Sequence, residues 1–88
     1  MYWIAATYAL TAAPADLCER LARHVEWNAA RMPELENADP ALSSGERRFA
    51  KSVRCLLRGD EIDLYDFFHN AWSPWLINAA QWLFNRVG

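Results

Sequence analysis

The chain is poor in the residues that most catalytic and export devices require. Its 88 residues include three glycines, two cysteines and one lysine. So few glycines leave little material for a phosphate-cradling loop, and neither a P-loop nor a dinucleotide fingerprint occurs. Two cysteines cannot make a disulfide scaffold. No run of about 18 apolar residues is present, so no membrane span is expected. The segment Met1–Leu10 is apolar but lacks a basic stretch before it, and reads as mature protein rather than a signal peptide. Without an export signal the expected compartment is the cytoplasm, where both thiols stay reduced. An excess of positive charge is missing as well. The net charge is -2 and the isoelectric point about 5.6, which excludes the basic whole-chain character of a general nucleic-acid binder.

What is present is a globular composition. Hydrophobic residues make up 53% and aromatics 14%, so a small core can bury much area per side chain. The length leaves room for a single domain over residues 1–88.

Helix punctuation recurs along the chain. Thr11 and Pro14 are placed to start a helix carrying the stripe Leu17, Leu21, Val25 and Met32, widened by Cys18, Ala22 and Ala29, and Pro33 is placed to stop it. Residues 33–43 read as a connector, with Asp39-Pro40 suited to one short turn. Ser43 and Glu46 fit a capping box ahead of a helix to about Arg58, whose apolar stripe is Phe49, Val53, Leu56 and Leu57 and which Gly59 is placed to close. Asp60 is the expected cap of the next helix, with Leu64, Tyr65, Phe68 and Trp72 on one face and Asp63, Asp66 and Asn70 on the other. Ser73-Pro74 then opens a last helix, Ser as cap and Pro at the first position. Residues 2–9 suit strand or helix by composition, but a lone strand among helices has no partner for its ladder groups, so helix is expected. The sum is an all-α fold, a compact bundle of four or five short helices.

The charges come in blocks. Residues 33–46 carry four acids and no base, 47–58 carry Arg47, Arg48, Lys51, Arg54 and Arg58 and no acid, and 59–66 carry four acids again. Such a basic stripe is usually a solvated face neutralised by its neighbours. Its functional reading is an anion-binding surface, for an acidic protein patch or for nucleic-acid phosphates.

Seven aromatics lie between Tyr65 and Phe84, and most of them are expected in the core. The last helix is nevertheless apolar over a very wide arc. Either it runs through the middle of the bundle or part of it meets another chain, a homodimer being the simplest case. Trp27 stands opposite the Leu17–Met32 stripe among Arg20, Arg23 and Arg31. It packs under the N-terminal segment or forms an exposed Trp/Arg anchor of the kind enriched at binding hot spots.

Catalytic groups are hard to assemble from this sequence. His24, His69, Cys18 and Cys55 have no metal-ligand spacing. Cys55 lies near cations that would favour its thiolate, and His69 stands three residues from Asp66, but no oxyanion hole or general base can be assigned. No enzyme activity, cofactor or metal is expected. The expectation is a protein-interaction module that binds another protein or complex through Arg47, Arg48, Lys51, Arg54, Arg58, Trp27, Arg31 and Trp82. Its size and acidity suit the inhibitors with which phages and mobile elements occlude host nucleic-acid-handling complexes, as anti-CRISPR proteins do. The alternative is a helix-turn-helix-like nucleic-acid binder that lays the 44–58 helix in a groove, with Arg47, Arg48 and Arg54 as contacts.

Overall fold

The computed structural model describes residues 2–25, 34–58 and 60–87, apart from the side chains of Tyr2 and Val87. Six helices appear among them: α1 (Tyr2–Thr11), α2 (Ala15–Ala22), α3 (Leu35–Ala38), α4 (Ser44–Arg58), α5 (Leu64–Phe68) and α6 (Ser73–Val87). No strand occurs among the described residues, so the fold is all-α and the N-terminal segment is helical. The radius of gyration, 11.7 Å, is that of a close-packed chain of this length, for which about 12 Å is expected.

Helix α4 is the centre. It packs against α1, α3, α5 and α6, while α1 also packs against α2 and α6. Its inner side buries Phe49, Ala50, Ser52, Val53, Cys55 and Leu56. Phe49 is fully buried, with its ring tilted against Trp72 at 4.9 Å between centroids. The Ser52 hydroxyl, buried in the same face, donates back to the Arg48 carbonyl at 2.9 Å. The start of α4 is the capping box the sequence announces. The Glu46 amide donates to Ser43 Oγ at 3.2 Å and the Ser43 amide donates to Glu46 Oε1 at 2.7 Å. At its end the Asp60 amide donates to the Cys55 carbonyl at 3.1 Å, the long-range bond of a Schellman-type stop; Gly59 itself lies outside the described residues.

Several local expectations are corrected. Thr11 does not cap α2 but ends α1, its hydroxyl donating to the Tyr8 carbonyl. Helix α2 stops at Ala22 instead of continuing toward Pro33, because the amides of His24 and Val25 tighten onto the carbonyls of Leu21 and Ala22. Ala29, Met32 and Pro33 lie outside the described residues. The connector contains α3, a single turn too short to show periodicity, which drives Leu35 into the core. Its exit is the expected Asp39-Pro40 turn, with the Ala41 amide on Asp39 Oδ1 at 2.9 Å. Asp63, not Asp60, caps α5, accepting from the amides of Tyr65 and Asp66. Ser73 does not accept a cap bond; its hydroxyl donates to the Asn70 carbonyl, and Asn70 Oδ1 takes the Trp72 amide.

The largest correction concerns the aromatics. Of the seven between Tyr65 and Phe84 only Phe67 is buried; Trp72 and Trp82 are half-buried, and Tyr65, Phe68, Trp75 and Phe84 are exposed. The reason lies in α1. It turns Ala5, Ala6, Ala9 and Leu10 inward and Trp3, Ile4 and Tyr8 outward. Small alanines let the helices approach closely, and a core closed at that spacing has no volume left for seven rings. Helix α6 is accordingly not the middle of the bundle. It buries Ser73, Leu76, Ala79 and Leu83 and exposes much of the rest.

Candidate interaction surface

The basic stripe of α4 is engaged inside its own chain. Arg54 makes a two-pronged contact with Glu36, Nε to Oε1 at 2.9 Å and Nη2 to Oε2 at 2.7 Å. Burial pushes the Glu36 carboxyl upward, but the Arg54 bond, a bond from its own amide and the Arg54 charge outweigh it and hold the group below the usual carboxylate range. Lys51 Nζ meets Asp66 at 2.7 Å, which raises the ammonium above its ordinary value through the bond to Asp66. Arg58 Nε meets Asp60 at 3.2 Å. Arg47 donates to three carbonyls, those of Leu42, Glu36 and Pro40, and so ties the connector to the first turn of α4. Glu36 from the acidic block before the stripe, and Asp60 and Asp66 from the block after it, neutralise it from two sides.

Arg48 differs from its neighbours. It has no carboxylate partner among the described residues; it donates to the His69 carbonyl at 3.2 Å and lies 5.2 Å from the centre of the Tyr65 ring. Tyr65 in turn stacks on His69, with 4.2 Å between centroids. His69 Nδ1 lies 2.9 Å from the Tyr65 carbonyl, and since a carbonyl only accepts, that nitrogen carries the proton. Asp66, three residues before His69 in sequence, is held by Lys51 instead.

Groups with chemistry do not converge. Among the described residues no three His, Cys, Asp or Glu side chains gather as metal ligands would. Cys55 is buried, and burial pushes its thiol pKa up; the Arg54 cation that would favour a thiolate is opposed by Asp60 and Glu36. The helix turns Cys55 inward, away from the cations beside it in sequence, as suits a plain core cysteine.

The exposed feature is apolar and uncharged. Helices α1 and α6 together span 25 residues and carry one formal charge, Arg86. Between them runs a groove of about 370 Å³ lined by Ile4, Ala5, Tyr8, Asn78, Ala79 and Trp82. Trp82 is half-buried there, with the Arg86 guanidinium 5.1 Å from its ring centre. Trp3, the residue before Ile4 on α1, is 59% exposed. A second, shallower groove of about 720 Å³ lies between α5 and α6, lined by Phe67, Phe68, Ile77, Ala80 and Phe84 with Gln81 and Asn85. Phe84 is 73% exposed and Leu64, one turn before Phe68, 68%. The face of α5 expected to turn inward is thus the one that faces water.

Of the residues expected to bind a partner, Arg47, Lys51, Arg54 and Arg58 make internal contacts, Arg48 stands over Tyr65, and Trp82 walls the α1–α6 groove. Trp27 and Arg31 lie outside the described residues. Trp3, Tyr8, Phe68 and Phe84 escaped the sequence reading as surface residues. For Phe84 a signal was present in the wide apolar arc of the last helix, but that arc does not say which part faces out; for Trp3, Tyr8 and Phe68 the sequence reading had none. Among the described residues no helix is long and apolar enough to cross a membrane. No protein-family model matches the chain, and no curated protein or solved structure matches it either.

Proposed function

We propose that this chain is a non-enzymatic protein-interaction module that holds a partner protein against the apolar surface built by α1, α5 and α6. The observation that carries this reading is the orientation of those helices: α1 and α6 turn alanines and leucines inside and leave Trp3, Tyr8 and Phe84 outside, and α5 leaves Leu64 and Phe68 outside. Large aromatic side chains supply most of the energy of protein interfaces, and depletion of charge marks interface cores. Among the described residues no three metal-ligating side chains gather, and in this reading the module acts by occupying a partner's face. Blocking a larger complex, in the manner of phage inhibitors, is the form of action that suits such a device.

The nucleic-acid alternative gains little support. A groove-binding helix needs free guanidinium donors, and Arg47 and Arg54 use theirs on carbonyls and on Glu36. A tagged pull-down from a bacterial lysate, with and without nuclease, separates the two readings. The module retains a stoichiometric protein after nuclease, loses it in Trp3→Glu and keeps it in Arg58→Ala. Recovery that disappears with nuclease and carries strong absorbance at 260 nm would favour the basic helix instead.

A further inference from the structure

We infer that the α5-facing side of α6 is a self-association surface, and that its occupant is the same side of α6 from a second copy of this chain. The inference rests on the interaction-module reading and names one of its partners. Three observations converge on a like partner rather than a different one.

The first is the seam itself. Ile77, Ala80, Gln81 and Phe84 follow the i, i+3, i+4, i+7 spacing of one helix side, and all four line the α5–α6 groove. Two large residues flank a small one. Around a two-fold axis near Ala80–Gln81 the two helices run antiparallel, and Phe84 of each copy stands beside Ile77 of the other, since both lie equally far from the centre. Each copy supplies the knob that the other's groove receives, which is the reciprocity of a two-fold interface.

The second is charge. None of the residues that line this groove, from Phe67 to Asn85, is ionised. A phosphate backbone or an acidic peptide finds no cation there, and a membrane surface finds none of the basic rim that interfacial helices use. A like copy is not repelled. The polar edge of this side of α6 is a short row of two exposed amides, Gln81 and Asn85. Each amide both donates and accepts, so the row can hydrogen-bond to a copy of itself, which a row of carboxylates or ammonium groups cannot do.

The third is size. Scaled by the exposed fractions of Phe84 and Phe68, 73% and 49%, the two large rings of the side offer apolar area on the order of 250 Å². A standard interface takes about 800 Å² from each partner, a little over half of it apolar. With Ile77, Ala80, Gln81 and Asn85 added, the side reaches the small end of specific interfaces, that of a weak dimer which dissociates on dilution.

Sedimentation velocity of the full chain over a concentration series is the test, with Phe84→Glu and Gln81→Glu as variants. Both positions are exposed, so folding is retained and is checked by circular dichroism. The expected result is a species of twice the 10.1 kDa chain mass that dissociates on dilution. Phe84→Glu should weaken the association by about 100-fold or more, by removing two buried rings per dimer and placing two charges in an apolar seam. Gln81→Glu should weaken it by setting like charges against each other at the axis. A wild-type chain that stays monomeric throughout, or a dimer indifferent to both variants, overturns the inference. If the chain is monomeric but Trp3→Glu still abolishes capture of a nuclease-resistant partner, self-association fails and the interaction module stands. If the chain is monomeric and no variant affects any partner, both fail.

Discussion

Helices α4 and α6 are the same length, 15 residues each, and stand in opposite relations to water. Helix α4 carries five cations and buries a full apolar side. Every one of its cations finds an acceptor on a neighbouring segment of the chain. Helix α6 carries one charge, buries little more than Leu76, Ala79 and Leu83, and leaves Trp75 and Phe84 in water. The comparison separates two properties that are easily confused in a sequence. Dense charge marks the part of this molecule that is internally satisfied, and sparse charge marks the part that is not. A guanidinium already holding Glu36 has little left for a partner, whereas an exposed ring loses nothing by being covered and gains on the order of 2 kcal/mol when it is.

This contrast can be broken or sharpened by substitution. Phe49→Ala removes the ring on which α4 and Trp72 pack and should cost about 3–5 kcal/mol in chemical denaturation, the largest single loss expected. Arg54→Met leaves Glu36 without its partner in a half-buried place. The expected cost is about 2 kcal/mol, between the small value of an exposed pair and the several kcal/mol of a fully buried one. Removing one acceptor of the capping box, Ser43→Ala, should cost about 1 kcal/mol. Phe84→Glu should change the stability of the folded monomer by no more than about 0.5 kcal/mol while weakening association by about 100-fold or more. If the order of the last two were inverted, α6 would be a structural helix and not a docking one.

Acid sharpens the same comparison. The Glu36 carboxyl is held below its ordinary value, so the folded chain releases that proton at a lower pH than the unfolded chain does. The stability it contributes is complete above the unfolded value, about 4.3, and is lost as pH falls through the lower folded value. Melting temperature should therefore fall below about pH 4.3, and Glu36→Gln should flatten that part of the profile. An acid limb identical in wild type and Glu36→Gln would show that the Arg54 contact does not stabilise the fold.

Much of the fold was legible before the structure. The capping box at Ser43 and Glu46, the extent of α4 and its Phe49–Val53–Leu56 stripe follow from local chemistry, and the structure reproduces them. The neutralised basic face was also readable, since acidic blocks flank it on both sides. What could not be read was orientation where both sides of a helix are apolar. In α1, alanines and aromatics offer the same pattern to a helical wheel, and only the spacing between packed helices decides that Ala5, Ala6 and Ala9 go in and Trp3 and Tyr8 go out. The same ambiguity reversed α5, where Phe67 points inward and Leu64 and Phe68 outward. Asp60 and Asp63 were confused as caps because both precede the helix, and the choice depends on Asp60 being drawn to Arg58.

The central claim is that recognition belongs to the uncharged surface and not to the basic helix. The most direct test is the dimer equilibrium of the full chain measured from about 0.05 to about 0.5 M sodium chloride, a range over which the screening length falls several-fold. The account predicts an association that holds or tightens as salt rises, because apolar contacts are not screened and no counterions are released. A dissociation constant that rises steeply across that range, with the logarithmic slope of a multi-charge contact, would contradict it and return the function to Arg47, Arg48, Lys51, Arg54 and Arg58.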